Sequence, residues 1–380
     1  MTYGSGTETE QIQKDLEKLN LTEPYNLTQN DNDSVYPQIS SYKDNIYVVW
    51  QESVGSYGTT NYDIFFKKSN DNGNSFSSPI NLSHNIGFSE HPQVASVGNH
   101  IYVVWADNSS GERQIMFSKS SDSGMSFSNS IALSQNSSSP HHAELAADGQ
   151  NVYIVWNSFG MEMSGIIQLA KSNDAGKTFG ELIEIGQGDT ETHPKIAASA
   201  NEYFITWDRR DNKDTEILFI KGYRDNNIQK IAQIDKLNND GIDGGESQVA
   251  ADKDHVMVFW TSNMPIDKKY VYAISSMNSG NNFGDNISIS SINSSNVENI
   301  LIGNNSYIIW EDNIDGNHEI YYAKSNTNGT GVDKPINVSN NIGVSECPSI
   351  TVSTSGIHMI WEDDTTGNHE ILYKRLSKIA

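Results

Sequence analysis

Apolar runs that end in tryptophan recur along the chain. Ile101-Tyr102-Val103-Val104-Trp105 is one, and others close at Trp50, Trp156, Trp207, Trp260, Trp310 and Trp361. Successive tryptophans stand 55, 51, 51, 53, 50 and 51 residues apart, so one unit is written seven times. In the second unit the alternation of polar and apolar positions marks four strands. His91-Pro92-Gln93-Val94-Ala95-Ser96 is a short strand opened by proline, and Asn99 to Trp105 is almost continuously apolar. A polar loop from Ala106 to Glu112 leads to the alternating stretch Arg113 to Lys119, and a turn over Ser120 to Phe127 leads to a fourth strand around Ser130 to Ser134. Four short antiparallel strands per unit, with turn residues between them, predict an all-β fold: a seven-bladed β-propeller of four-stranded antiparallel blades.

The seventh unit stops at Ala380 without a fourth strand. The missing piece stands at the other end, where Pro24-Tyr25-Asn26-Leu27-Thr28 matches Pro79-Ile80-Asn81-Leu82-Ser83 and Pro335-Ile336-Asn337-Val338-Ser339. An N-terminal strand is therefore expected to close the last blade, which removes the exposed edges of an open array. Residues 21–380 are assigned to the propeller. Residues 1–20 carry Ile12, Leu16 and Leu19 at helical spacing and are read as an N-terminal arm or short helix.

Between the third and fourth strands the turn Ser-x-Asp-x-Gly-x-x-Phe stands intact three times, around Asp71, Asp122 and Asp174. A short acid bonds backbone N–H groups inside such a turn, glycine supplies positive φ, and the aromatic anchors the turn in its blade. This motif resembles the Asp box, or BNR repeat, of the sialidase-like propellers, and the resemblance covers roughly residues 21 to 378. In that family the box is a structural turn remote from the active site, so Asp71, Asp122 and Asp174 are expected to be structural.

The resemblance also raises glycoside hydrolysis. Sialidases of this fold hold the substrate carboxylate with three arginines, one of them in a motif that opens the first blade. This chain has five arginines, Arg113, Arg209, Arg210, Arg224 and Arg375, and none precedes a strand-opening proline. A convergent arginine triad is not expected. Other Asp-box propellers have seven blades and include both enzymes and scaffolds, so blade number does not decide.

Charge narrows the partners. With a formal net charge of -23 the chain lacks the basic stripe that nucleic acid requires. No apolar run is long enough to span a bilayer. Cys347 is the single cysteine, so there is no internal disulfide framework. Asn-x-Ser/Thr sequons point to an extracellular or cell-surface setting. Met1 to Glu10 has neither a charged nor an apolar leader region, so any signal peptide is expected to be absent from this sequence.

Candidate chemistry gathers at one repeated position. The first strands of a propeller line its central channel, so Tyr36, His91, His142, His193, Glu246, Asn296 and Cys347 are expected to ring its mouth, with His141, Glu90 and Glu346 alongside. Imidazole, thiolate and carboxylate groups from several blades can hold a transition metal or a small ligand there. Acidic loops around Asp240, Asp243, Asp312 and Asp315 are weaker candidates for calcium. The leading expectation is a non-catalytic, extracytoplasmic binding or scaffold module that presents one face or its channel mouth to a protein or glycan. The alternatives are a sialidase-like glycoside hydrolase at the same mouth and a metal-binding propeller using the axial His and Cys residues.

Overall fold

A computed structural model describes residues 21–55, 61–135, 137–159, 165–188, 192–211, 214–223, 235–237, 245–262, 270–289, 295–302, 305–313, 316–325 and 332–377. The expected N-terminal arm, residues 1–20, lies outside them. Twenty-eight strands form seven four-stranded antiparallel sheets, and each sheet is one blade. Blade 2 is representative: Ser89–Val97, His100–Asp107, Gln114–Ser120 and Ile131–Ala132 pair in sequence order. The outermost strand has two residues, shorter than the alternation suggests.

The second strand of each blade reads as an unbroken apolar run because it is covered on both faces. His100–Asp107 is buried from Ile101 onward, and the seven tryptophans are among the largest fully buried side chains. Seven hydrophobic clusters fill the seven blade-to-blade interfaces; Tyr102 and Val104 of blade 2, for example, pack with Ile154 and Trp156 of blade 3. Burial of this apolar surface is the main term holding the ring.

In four of the blades the indole N–H at the end of the run donates to a carboxylate two residues on. Trp50 donates to Glu52 at 3.0 Å, and Trp105, Trp310 and Trp361 donate to Asp107, Asp312 and Asp363 at 3.3 Å. Asp107 and Asp363 also accept from the start of the blade: Ser89 Oγ donates to Asp107 at 2.9 Å and Ser345 Oγ to Asp363 at 2.8 Å. Asp312, a calcium candidate from the sequence, is thus a buried acceptor for its own tryptophan. Asp240, Asp243 and Asp315 lie outside the described residues.

The repeated turns join blades as well as strands. Asp122 Oδ1 accepts the Ser126 N–H at 2.9 Å and Oδ2 accepts the Ser126 hydroxyl at 2.6 Å; Asp71 does the same with Ser75, and Asp174 with Thr178. The hydroxyls of Ser75 and then Ser69 hold the Asp71 carboxyl down at about 2. Gly124 has φ +75°, and a Cβ there would lie 2.7 Å from Phe66 Cζ of blade 1. The aromatic of the turn also reaches the preceding blade: Phe127 meets Phe66 edge-on at 4.8 Å, and Phe179 meets Phe117 at 5.0 Å. Anchoring within one blade, as read from the sequence, therefore extends across the interface. Basic residues complete the link, with Lys68 donating to Ser123 O at 2.9 Å, Lys119 to Ala175 O at 3.0 Å and Arg375 to Asn72 O at 2.7 Å.

Ring closure follows the sequence expectation. Tyr25–Asn26 pairs with Glu370–Ser377 as the outer strand of blade 7, in register Tyr25 with Tyr373 and Asn26 with Leu372. Leu27 is 1% exposed and joins the cluster between blades 7 and 1.

Candidate functional site

A cavity of about 280 Å³ opens at one end of the channel and is lined by all seven expected ring residues, Tyr36, His91, His142, His193, Glu246, Asn296 and Cys347. The cause is a repeated backbone irregularity. In six blades the register of the first strand shifts at this residue, as between Glu90 and Gln93 or between Glu346 and Ser349. At the shift Tyr36, His91, His142, Glu246, Asn296 and Cys347 adopt φ between +35° and +52°. A bulge of this kind re-aims a side chain, here toward the axis. Non-glycine residues at positive φ are strained, and the strain persists only where neighbours enforce it. Here the preceding blade does so: Gln51 Oε1 accepts the His91 N–H at 2.8 Å, and Glu362 Oε2 accepts the Tyr36 N–H at 2.9 Å.

The imidazoles form an arc along the wall. Tyr36 and His91 meet edge-on at 4.7 Å, His91 and His142 lie 5.6 Å apart, and His142 and His193 are 4.0 Å apart. His141 does not line the cavity; it is buried with its Nδ1 2.9 Å from Ser139 O and its ring 5.0 Å from Phe159. Burial lowers His91, and burial followed by the neighbouring histidines lowers His142 to about 2. Burial and then Lys195 lower His193 to about 4. All three are neutral at physiological pH. Burial and then the Glu362 carboxylate push the Cys347 thiol far above its usual range, so it stays protonated. Burial, and then Cys347, raise the Tyr36 hydroxyl.

Two residues further along the first strand in six of the blades lies a floor that the sequence reading did not pick out: Gln38, Gln93, Glu144, Lys195, Gln248 and Glu298 also line the cavity. Lys195 pairs with Glu144, which also accepts from Gln93 Nε2 at 3.2 Å. Gln38 donates to Glu298 at 3.3 Å and accepts from Ser349 Oγ at 3.2 Å. Burial raises both carboxyls, more than Lys195 lowers them. Burial alone would lower the Lys195 ammonium, but Glu144 and Glu298 outweigh it and hold the ammonium above its usual range. The signal was available in the period-two alternation of a strand, which puts residues i and i+2 on one face.

The wall geometry bears on the expected metal. The arc brings imidazoles together in pairs along the rim rather than around one point. Among the described residues, the group that brings three His, Cys, Asp or Glu ligand atoms within 4.8 Å of one another is Glu311, His318 and Glu346, which includes none of the ring histidines and not Cys347.

Similarity to solved structures is extensive in shape and low in sequence. Polysaccharide lyase Uly1 is 10% identical with a TM-score of 0.60, over 90% of each chain. A protein of unknown function from Dyadobacter fermentans is 13% identical with a TM-score of 0.58, over 94% of this chain and 99% of that one. The phage phi92 endosialidase is 10% identical with a TM-score of 0.54, over 94% of this chain and 69% of that one. The fold is that of the sialidase-like propellers. No protein-family model matches the sequence, and no curated protein matches it. At these identities the likeness concerns the fold alone. No helix among the described residues is long and apolar enough to cross a membrane.

Neutral histidines leave a pH signature. The unfolded chain has ordinary histidines near 6.5, while His193 and His142 take up protons only near 4 and 2 when folded. The unfolded state therefore binds more protons below about pH 6.5, and stability falls as pH drops through that window. At about pH 5 each such histidine lowers stability by up to about 2 kcal/mol relative to neutral pH. The raised carboxyls of Glu144 and Glu298 act in the opposite sense, so a variant isolates the histidine share. We expect the guanidinium midpoint of a His142→Asn, His193→Asn variant to fall less between about pH 7 and pH 5 than that of the parent. Equal falls would show that these imidazoles do not titrate out of range.

Proposed function

We propose that the protein is a carbohydrate-binding propeller that cradles a neutral oligosaccharide at its channel mouth without cleaving it. The observation that carries this reading is the walled cavity itself: a rim of one aromatic and three neutral imidazoles above a hydrogen-bonded polar floor. Tyr36 is 42% exposed, so its ring is free to stack on a sugar face, and neutral imidazoles and amides donate to and accept from hydroxyls. A net charge of -23 repels anionic glycans at long range, which favours a neutral one. Hydrolysis by the usual route needs two carboxylates facing the sugar. At the rim the lining offers Glu246, while Glu144 and Glu298 below it are engaged with Lys195, Gln38, Gln93 and Ser349. An extracellular site of action accords with this ligand class.

The Tyr36 and His91 pair favours a second reading. A neutral imidazole beside a phenol is a base and an acid in contact, the pair an eliminative lyase needs. Calorimetric titration of the whole protein with a panel of neutral and acidic oligosaccharides separates the two. Binding to a neutral member, weakened at least tenfold by Tyr36→Ala with no new reducing ends and no unsaturated uronate absorbance, supports a binding module. An unsaturated product supports the lyase instead, and no binding across the panel overturns both.

A further inference from the structure

Outside the ring, one group of side chains among the described residues converges on a point. Glu311 follows Trp310 in the second strand of blade 6, Asn305–Asp312. His318 immediately precedes the third strand, Glu319–Ser325, and Glu346 is the second residue of blade 7, in Ser345–Val352. The interface between the two blades brings their ligand atoms within 4.8 Å of one another. His318 Nδ1 is 2.6 Å from Glu311 Oε1 and 3.3 Å from Glu346 Oε1.

Hydrogen bonding alone does not account for this arrangement. One ring nitrogen donates at most one proton, yet two carboxylate oxygens face it. Two carboxylates held against one imidazole nitrogen also bring like charges together. Glu311 is buried, and its other oxygen is held by Asn296 Nδ2 at 2.7 Å. Such an outer contact fixes the direction of a ligating oxygen.

The molecule supplies its own comparison. Blade 7 repeats the acid and the imidazole as Glu362 and His369, but Val35 stands where Glu346 would be. There the imidazole Nδ1 lies 3.9 Å from the acid, and among the described residues no third ligand converges. In blade 2 the counterpart of Glu346 is Glu90, which pairs with the Arg113 guanidinium instead.

We propose that Glu311, His318 and Glu346 bind a divalent transition metal of the zinc class. One imidazole and two carboxylates supply a mixed nitrogen and oxygen set, which suits zinc better than the all-oxygen shell calcium prefers. Two carboxylates balance the charge of the dication. The His318 and Glu346 side chains are 39% and 34% exposed, so solvent has access to the remaining coordination positions. The site is independent of the glycan reading.

The test is calorimetric titration of the whole, EDTA-dialysed protein with zinc chloride, and with calcium chloride in parallel. One equivalent of zinc should bind, in preference to calcium. Glu346→Gln and His318→Ala should each weaken zinc binding at least tenfold, with His369→Ala unchanged. Circular dichroism melting of Glu346→Gln, a part-exposed position, separates lost ligation from lost folding. The proposal is overturned by absent saturable binding, by equal affinity in Glu346→Gln and the parent, by preference for calcium, or by loss of the zinc site in His91→Ala with His318→Ala unaffected.

Discussion

A chain shortened to begin at residue 29 is expected to lose its cooperative unfolding transition at ambient temperature. The truncation removes the strand Tyr25–Asn26 and its ladder to Glu370–Ser377, together with the Leu27 N–H to Ile371 O bond of 2.8 Å. It also takes Leu27 from the cluster between blades 7 and 1. Loss of a buried leucine alone costs about 2 to 5 kcal/mol. Opening the edge of the Glu370–Ser377 strand adds unpaired backbone groups, each with its own cost. The sum is comparable with the roughly 5 to 15 kcal/mol that holds a typical domain. Circular dichroism melting with light scattering checks this, and the peptide of residues 21–28 added in trans should restore part of the transition. An unchanged melt would mean that blade 7 is stable with three strands.

The second large effect lies in the channel floor. Lys195→Met leaves Glu144 and Glu298 facing each other without their shared cation, and the side chains of Lys195 and Glu144 are only 19% and 16% exposed. Removing one member of an enclosed pair costs about 3 to 5 kcal/mol, because the remaining charge is stranded. Access of solvent to the channel places the expectation at the lower end, about 3 kcal/mol. Adding Glu144→Gln to Lys195→Met removes one stranded carboxylate, so the double variant should be more stable than Lys195→Met alone. Urea unfolding of the four proteins in a double-mutant cycle gives the coupling. Additive losses would place Lys195 outside the Glu144 and Glu298 network.

These expectations rest on residues that the sequence exposed to different degrees. The blade count and the closing strand were legible because tryptophan spacing and the Pro-x-Asn-x-Ser/Thr segment repeat in register. The mouth residues were legible for the same reason: a position fixed relative to each tryptophan must be fixed relative to the axis. Their positive φ was not, since four of the seven ring residues precede proline and the sequence suggests plain extended backbone there. Asp312 reads as a calcium candidate because its loop is acidic, whereas the spacing Trp-x-Asp/Glu, which recurs at Glu52, Asp107 and Asp363, carries the signal of its indole partner. The convergence of Glu346 on His318 had no sequence signal. It depends on how one blade is set against the next, and a repeat period carries no information on that angle.

The closing strand also orders events in time. Thr28 Oγ1 accepts the Ile371 N–H at 3.1 Å across 343 residues of sequence, so a strand made early waits for a partner made much later. Contacts that distant slow the final step of folding and leave an unpaired partner in the interval. Two residues are a poor template for the wrong neighbour, which makes the brevity of Tyr25–Asn26 a safeguard during synthesis as well as a latch afterwards.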